Sequence, residues 1–348
     1  MTADSALRGL GVAVATPFDA NGRVDFQAFG RLLDFLAGSG KGPGAAGSKT
    51  TDSKAAGFGP AAPLSGSPAG TVEEFQAREG GGCDFLVVLG STGEAATIEA
   101  DERRAIIQFA VERAGGLPVV IGTGSNSTAT CVRFTAEAAA LGADAVLVVT
   151  PFYNKPTPDG LVAHFSAVAE AAANAATNAA GRVPVVVYNV PGRTGLNLIP
   201  SSLARLWKIP GILAVKESSG NLAQIGEIAR TLPVGKILLS GDDALALPAL
   251  AVGATGLISV AGNILPRRVK AMLDAAMAGR RQESIAIHQS LLPTMDALFL
   301  ESNPIPLKAA LALTGLAGDT LRLPLAPASA GTRTALARAL SPFLEVRE

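Results

Sequence analysis

Eight short, almost continuously apolar segments recur along this chain, and they constrain its fold more than any other feature. Alanine-rich stretches with helical periodicity separate most of them, and the segments are Gly11–Phe18, Cys83–Leu89, Pro118–Gly122, Ala145–Thr150, Pro184–Asn189, Ile212–Lys216, Lys236–Ser240 and Gly256–Val260. Strands that are apolar throughout, and not at alternate positions, are typical of parallel sheets covered by helices. Eight such units predict an α/β protein with a closed (β/α)8 TIM barrel over residues 1–263.

The alternative is an open, doubly wound sheet. Such a sheet is expected to carry Gly-x-Gly-x-x-Gly at its first strand-helix turn, and Thr16-Pro17-Phe18-Asp19 has no such pattern. Gly122-Thr123-Gly124-Ser125-Asn126, after the third strand, lacks the third glycine of a nucleotide-binding loop. The closed barrel is therefore favoured.

Two regions lie outside the regular repeat. The first two strands begin about 72 residues apart, and the segment 38–82 between them is rich in Gly, Ala, Ser and Pro, which predicts a disordered insertion. Val72–Arg78 alone is compatible with one or two helical turns. The insertion can be interpreted as a lid or partner-binding loop, as a tolerated insertion, or as non-coding sequence in the gene model. From Ile264 onward the chain is helical in pattern, which predicts a C-terminal helical region over residues 264–348.

Composition excludes several classes of function. Basic and acidic residues balance at 29 each, so we expect neither nucleic acid nor a membrane as a partner. Cys83 and Cys131 lie far apart, which argues against a disulfide or zinc framework, and His164 and His288 lie on helix-like stretches that suit structural roles. The chain shows no secretory leader and no membrane-length apolar run, which predicts a cytoplasmic protein.

Lys216 closes the apolar run of the sixth strand, where a buried ammonium group is costly. It either pairs with a carboxylate or takes part in chemistry. Pairing with Glu217 is disfavoured because neighbouring residues of a strand point to opposite faces. In a pocket of low dielectric constant a lysine is more readily neutral, and a neutral amine can attack a carbonyl to form a Schiff base.

Polar residues follow the neighbouring strands, and barrel enzymes build their sites at the carboxyl ends of strands. Forming and dehydrating a carbinolamine moves protons, so Tyr188 is the candidate acid/base group, with Thr92 and Tyr153 passing its proton toward solvent. Arg193 is suited to bind a carboxylate with two parallel hydrogen bonds. The sequence therefore predicts an enzyme that acts on a keto acid, or on two acids.

Structural interpretations of the same residues stay open. Tyr188 is also compatible with a core aromatic, Thr92 with a helix cap, and Arg193 with a surface arginine. Their joint placement around Lys216 favours the catalytic interpretation.

These segments resemble motifs of a known family, the pyruvate-dependent class I aldolases typified by dihydrodipicolinate synthase and N-acetylneuraminate lyase. Gly90-Ser91-Thr92-Gly93-Glu94 is similar to the signature whose hydroxyls and backbone bind the pyruvate carboxylate, and Val215-Lys216-Glu217 resembles the Schiff-base strand. The resemblance implies that Ser91 and Thr92 bind substrate. It also implies that the backbones of Gly241 and Ile258 line the pocket.

Further segments resemble the synthase branch of this family. They are Tyr188–Thr194, whose Arg193 is then expected to bind the carboxylate of aspartate semialdehyde, and Leu321–Leu325. Pro151–Pro156 resembles a loop that sends a tyrosine across a dimer interface. The resemblance thus implies a homotetramer, a dimer of dimers, in which Tyr153 completes the relay of a neighbouring subunit.

The resemblance also implies a reaction. Lys216 condenses with pyruvate, and the resulting enamine attacks L-aspartate 4-semialdehyde to give 4-hydroxy-tetrahydrodipicolinate, in the diaminopimelate and lysine pathway. No metal or organic cofactor is required, because the lysine supplies the electron sink. Two alternatives remain: a sister aldolase that acts on a sugar acid or 4-hydroxy-2-oxoglutarate, and a non-catalytic regulator, which would not need the complete set of Lys216, Tyr188 and Thr92.

The chain departs from the family at one regulatory site. In members that lysine inhibits, the feedback site carries histidine, glutamate and tyrosine. By resemblance, the corresponding residues of this sequence are Ala100, Arg103, Thr130 and Phe152. A bound lysine would find no carboxylate at Thr130 and would meet a like charge at Arg103. We therefore expect weak or absent inhibition by lysine.

Overall fold

Eight parallel strands close into a barrel in the order of the sequence. The computed structural model describes residues 7–38, 71–176 and 181–344. The strands are β1 Gly9–Ala13, β2 Phe85–Val88, β3 Val119–Gly122, β4 Ala145–Val149, β5 Val185–Asn189, β6 Ile212–Glu217, β7 Ile237–Ser240 and β8 Gly256–Ser259. The predicted (β/α)8 TIM barrel is confirmed.

Helices surround the barrel and follow its last strand. In the described residues they are α1 Phe26–Ala37, α2 Val72–Glu79, α3 Ala100–Arg113, α4 Thr128–Ala140, α5 Pro158–Ala175, α6 Pro191–Thr194, α7 Pro200–Leu206, α8 Leu222–Arg230, α9 Ala246–Ala251, α10 Pro266–Met277, α11 Arg281–Ala297, α12 Ile305–Leu313 and α13 Ala330–Leu344. The last four lie after β8, as predicted for the C-terminal part. Within the described ranges, none of these helices is both long and apolar enough to cross a membrane.

The first strand begins and ends earlier than the predicted Gly11–Phe18. It starts at Gly9, which pairs with Gly256 of β8, and it ends at Ala13. After this strand, a side chain takes the place of the neighbouring strand as hydrogen-bond partner of the backbone: the Ala15 N–H donates to Asn263 Oδ1 at 3.1 Å. The apolar run after Ala13 is therefore buried loop and not strand.

The predicted insertion is described only in its last part, since residues 39–70 lie outside the described residues. Residues 71–82 contain α2, which a capping box begins: Thr71 Oγ1 accepts from the Glu74 N–H at 3.1 Å, and the Glu74 carboxylate accepts from the Thr71 N–H at 2.7 Å. At its other end the buried Glu79 forms an ion pair of 2.8 Å with Arg268 on α10. The chain that enters β2 is thus helical and fixed to the barrel.

The barrel interior is filled by its own apolar cluster, separate from the larger core between strands and helices. Alternate strand residues face inward, and the inner cluster includes Phe85, Leu147, Tyr188, Leu239 and Ile258. Burying each large apolar side chain stabilises the fold by roughly 1.5–3 kcal/mol. This packed interior forms the floor on which the polar residues of the strand ends lie.

Candidate active site

Lys216 lies near the carboxyl end of β6 and points into the barrel. It is two residues from Ala214, a member of the inner cluster, so both side chains face the same way. The residue is 6% exposed, and in the described ranges no carboxylate lies within 4 Å of its Nζ. Glu217 points elsewhere, where its carboxylate accepts from Asn189 Nδ2 at 2.9 Å and from the Ser219 N–H at 2.7 Å. Pairing of Lys216 with Glu217 does not occur.

Tyr188 is the neighbour of Lys216 on the adjacent strand. The parallel register pairs the two residues directly. The Lys216 Nζ lies 4.2 Å from the centroid of the Tyr188 ring, a cation–π contact that fixes the amine against the phenol. Two groups suited to amine attack and proton transfer thus lie side by side.

Thr92 lies in a short 3₁₀ turn, Ser91–Gly93, that follows β2. It caps no helix, and its side chain is buried. Its Oγ1 accepts a hydrogen bond of 2.9 Å from Asn303 Nδ2. Because the Asn303 amide donates to a lone pair of the Thr92 hydroxyl oxygen, the hydroxyl proton of Thr92 is free to be donated to another group.

A cavity of about 140 Å³ brings most of the predicted residues together. Its lining includes Ser91, Thr92, Tyr188, Arg193, Lys216 and Gly241. Gly241 has to lack a side chain, since a Cβ there would lie 2.7 Å from Lys216 Cε and 1.9 Å from Ser218 Oγ. The cavity is thus shaped directly around the stem of Lys216.

Arg193 lies on α6 at the mouth of this cavity. Its Nη2 donates to the carbonyl of Asn303 at 2.8 Å. A guanidinium has five N–H donors, so this bond leaves it able to bind a carboxylate. The bond also holds the arginine in position beside the cavity.

Two predicted residues lie outside the cavity lining. Ile258, on β8, is buried in the inner cluster. Tyr153 is 89% exposed and its φ of 73° places it in the left-handed region, which is unfavourable for a residue with a side chain. Within a single chain, Tyr153 therefore does not reach the amine.

Sequence reasoning missed three polar residues of the lining, Asn303, Ser218 and Asp242. Asn303 lies 211 residues from Thr92 and comes from the segment between α11 and α12, so no local pattern placed it at the site. Ser218 follows β6 directly, and its buried Oγ has no hydrogen-bond partner in the described residues. The position of Ser218, two residues after Lys216, could have identified it from the sequence.

A buried ionic network ties the Ser91–Gly93 turn to the C-terminal region. Glu94, with φ of 52°, forms an ion pair with the fully buried Lys308 of α12 and accepts from the Arg322 N–H at 3.1 Å. Loss of solvation lowers the pKa of Lys308 to about 8, although the neighbouring carboxylate acts in the opposite direction. Arg322 also pairs with Glu102, so the Leu321–Leu325 segment has a structural role.

The chain is similar to known proteins along most of its length. The model of the dihydrodipicolinate synthetase family matches residues 69–342. A curated 4-hydroxy-tetrahydrodipicolinate synthase from Kosmotoga olearia is 40% identical over 340 residues, which cover 96% of this chain and 97% of that protein. The crystal structure of dihydrodipicolinate synthase from Aquifex aeolicus is similar with a TM-score of 0.79 and 35% identity, covering 97% of this chain and 98% of that one. The enzyme from Acinetobacter baumannii, solved in complex with pyruvate, has a TM-score of 0.80 and 32% identity, covering 98% and 100%. This chain belongs to the dihydrodipicolinate synthetase family.

Proposed function

We propose that this chain is a lyase that condenses pyruvate with L-aspartate 4-semialdehyde to give 4-hydroxy-tetrahydrodipicolinate. The observation that carries the proposal is the buried Lys216, which has no carboxylate partner in the described residues and lies against Tyr188 beside a cavity of about 140 Å³. The reaction is the one for which the Kosmotoga relative is named. The pyruvate bound in the Acinetobacter relative is a ligand small enough for such a cavity.

The chemistry begins with attack of the neutral Lys216 amine on the keto carbon of pyruvate. Loss of water from the carbinolamine gives an imine, and removal of a methyl proton gives an enamine. The enamine carbon attacks the aldehyde carbon of the second substrate, whose oxygen takes up a proton. The amino group of that substrate then adds to the imine carbon and displaces Lys216, so that one water is released overall.

Proton transfer falls to Tyr188 and Thr92 in this scheme. Tyr188 lies beside the amine and serves as the acid/base group for the carbinolamine. Since Thr92 accepts from Asn303, its own proton is directed to a further acceptor, as a relay requires.

The two carboxylates of the substrates are assigned to different groups. Ser91 and Thr92, in the turn after β2, bind the carboxylate of pyruvate together with backbone N–H groups of the same turn. Arg193 at the cavity mouth binds that of the semialdehyde. The Gly241 backbone also lines the pocket, whereas Ile258 lies in the inner cluster outside the cavity lining. No metal or organic cofactor takes part in the proposal.

The exposed loop at Tyr153 supports a shared site in a homotetramer built as a dimer of dimers. A tyrosine that is 89% exposed in a strained backbone conformation gains by burial against a second copy. There its hydroxyl completes the relay of Thr92 and Tyr188 in the neighbouring subunit.

Mixed oligomers test the sharing of Tyr153. Lys216→Ala and Tyr153→Phe chains are inactive or weak alone, but a mixed dimer contains one site with both Lys216 and Tyr153 intact. Refolding the two variants together should restore activity well above either parent. If the mixture shows only the average of the parents, Tyr153 acts within its own chain or not at all.

Aldehyde preference tests the proposed substrate against the sister aldolases. Turnover with aspartate semialdehyde should exceed that with a sugar aldehyde or with glyoxylate under the same pyruvate concentration. Arg193→Leu should raise the KM for the semialdehyde much more than that for pyruvate. A faster reaction with either alternative aldehyde would reassign the substrate.

Free lysine provides a separate test of regulation. We expect no inhibition at sub-millimolar lysine, because Arg103 presents a like charge and Thr130 presents no carboxylate. Inhibition in that range would contradict this expectation without affecting the assignment of the reaction.

A further inference from the structure

The outer face of the β5–β6 pair carries buried polar side chains directly behind Lys216 and Tyr188. The pair that follows these two residues in the register is Asn189 with Glu217. Successive residues of a strand point to opposite faces, so both side chains point away from the barrel interior. Asn189 is 0% exposed and Glu217 is 1% exposed. The same strand ends thus present an amine and a phenol inward and a polar pair outward.

Glu217 is a buried carboxylate that N–H groups satisfy. In the described ranges no lysine or arginine nitrogen lies within 4 Å of its oxygens. They accept from Asn189 Nδ2 at 2.9 and 3.2 Å, from the Ser219 N–H at 2.7 Å and from Gln224 Nε2 at 3.4 Å. Buried ionic groups contribute little to stability on balance, and some of them fix one conformation among several. Glu217 is therefore better explained by the geometry that it imposes.

Glu217 determines the orientation of the Asn189 amide. Because an ionised carboxylate can only accept, the NH2 group of Asn189 faces it, and the amide oxygen points the other way. That oxygen accepts from the Leu198 N–H at 2.9 Å, and the NH2 group also donates to Asn197 Oδ1 at 2.9 Å. A reversed amide would oppose two acceptors at Glu217 and two donors at Leu198. A residue of the neighbouring strand thus fixes this amide in one orientation.

The Asn189 amide also ties the far end of the turn that carries Arg193. The chain leaves β5 at Asn189, passes through α6, and returns to the Asn189 side chain at Asn197 and Leu198. Asn197 is linked further to Gln224 of α8, whose Oε1 accepts from Asn197 Nδ2 at 2.8 Å. Arg193 therefore lies on a short closed loop whose base is fixed to the ends of β5 and β6.

We propose that Asn189, Asn197 and Glu217 are positioning residues for the turn that carries Arg193. They hold its guanidinium at a fixed place relative to Lys216, and so they select a second substrate whose carboxylate lies at the matching distance from its aldehyde. This role rests on the proposed function, in which Arg193 binds that carboxylate. A guanidinium that binds through two parallel hydrogen bonds requires such precision in direction and distance. None of the three positioning residues lines the cavity around Lys216.

Asn197→Ala tests this role without changing either strand. The variant removes the ties of Asn197 to the Asn189 amide and to α8, so the KM for aspartate semialdehyde should rise about tenfold, within the range of couplings measured in one hydrogen-bond network. Trapping of pyruvate on Lys216 by borohydride should match that of the unchanged protein, because the strands keep their register. A parallel loss of pyruvate trapping would show a general loosening of the site and would overturn the proposal.

A double-mutant cycle decides whether Asn197 acts through the arginine. Steady-state kinetics are measured for the unchanged protein, Asn197→Ala, Arg193→Leu and the double variant. If Asn197 positions Arg193, its replacement should raise the KM for the semialdehyde by no more than about twofold once Arg193 is already leucine. A purely structural effect would raise the KM by the same factor in both backgrounds, which would contradict the proposal.

Glu217→Gln tests the orientation of the amide, and Asn221→Ala is its control. The glutamine keeps the shape of the side chain but sets an NH2 group against the donors that the carboxylate accepts from, so the KM for the semialdehyde should rise as in Asn197→Ala. Asn221→Ala removes only the cap of α8, where Oδ1 accepts from the Gln224 N–H at 3.1 Å, and should leave the KM unchanged. An unchanged KM in Glu217→Gln, or an equal rise in Asn221→Ala, would refute the role of the carboxylate.

Failure of this proposal is distinguishable from failure of the proposed function. If the unchanged protein consumes the semialdehyde and Asn197→Ala shares its KM, the positioning role fails alone. If the unchanged protein consumes no semialdehyde, the proposed function fails and the positioning role falls with it. Should circular dichroism show that Asn197→Ala does not fold, Asn197→Ser replaces it in every comparison, because its shorter side chain cannot bridge Asn189 and Gln224.

Discussion

Lys216 and Tyr188 owe their close contact to the register of their strands. Because the strands are parallel and directly paired, the two side chains lie at the same height on the inner wall, with Nζ 4.2 Å from the ring centroid. Within the described residues no carboxylate pairs with this amine, and the phenol beside it is a group able to exchange a proton with it. The pair is the smallest unit that accounts for the proposed Schiff-base chemistry.

Removing the Tyr188 hydroxyl should separate proton transfer from binding. Tyr188→Phe keeps the ring contact with Lys216, so pyruvate should bind with little change in KM, while kcat should fall by roughly 10²–10⁴ because an acid/base group is lost. Steady-state kinetics measure both quantities. A fall in kcat of less than tenfold would assign the proton transfer to another group.

Asn303 should act as a positioning residue for Thr92. In Asn303→Asp the new carboxylate accepts from Thr92 and so reverses the hydrogen bond, whereas Asn303→Ala only removes it. We expect the Asp variant to lose more kcat than the Ala variant, with circular dichroism showing the fold intact in both. Equal activity of the Asp variant and the unchanged protein would show that the direction of this bond is unimportant.

At this scale the sequence predicts what lies on or just after a strand. Lys216 and Tyr188 lie near the carboxyl ends of their strands, and Thr92 and Arg193 follow strand ends. A barrel brings these ends together whatever the loops do. Asn303 could not be predicted in this way, because its position depends on how the chain between α11 and α12 folds back over the barrel mouth. Tyr153 was predicted from the residues after the fourth strand as a member of the relay, but its place across a subunit interface came from the resemblance. Its exposed, left-handed conformation is visible only in the structure.

The elements after β8 brace the site and do not merely extend the barrel. α12 supplies Lys308, which is paired with Glu94 just beyond the Ser91–Gly93 turn, and the following segment supplies Arg322. The C-terminal helices were predicted from periodicity, but a buried ion pair between residues far apart in sequence was not, since neither partner shows an unusual local pattern. Likewise, the first strand was predicted too long because buried loop and buried strand are equally apolar.

The Lys308 and Glu94 pair should show strong energetic coupling. Lys308→Met leaves a carboxylate buried without its cation and should lower the free energy of unfolding by about 3–5 kcal/mol. The double variant Lys308→Met with Glu94→Gln removes the stranded charge and should recover part of that loss. Urea unfolding at fixed protein concentration measures both, and equal destabilisation of the single and double variants would contradict coupling between the two residues.

The chain as a whole carries no formal net charge at pH 7, and a few of its titratable groups are buried. His164 on α5 is one of them: it is 4% exposed, and its Nδ1 lies 2.9 Å from Thr128 Oγ1 on α4. Burial lowers the pKa of His164 below its usual value of 6.5. As the pH falls, the unfolded chain therefore takes up a proton at this residue at a higher pH than the folded chain does.

Mild acidification should consequently remove the contribution that His164 makes to stability. Its contribution is complete above the unfolded pKa of about 6.5 and is lost as pH drops toward the lower folded pKa. The free energy of unfolding between pH 7.5 and 5.5 should decline less steeply in His164→Gln, since His288 is present in both proteins and cancels. Identical slopes would show that His164 titrates normally in the folded state.

Trapping of the substrate on the protein tests the central claim most directly. The purified chain is reduced with borohydride in the presence of pyruvate, digested, and analysed by mass spectrometry, while consumption of aspartate semialdehyde is assayed in parallel. The account predicts a reduced pyruvate adduct on Lys216, its absence in Lys216→Ala, and turnover of the semialdehyde by the unchanged protein. A folded protein that carries no adduct on Lys216 would contradict the Schiff-base mechanism, and an adduct without semialdehyde turnover would move the assignment to a sister aldolase.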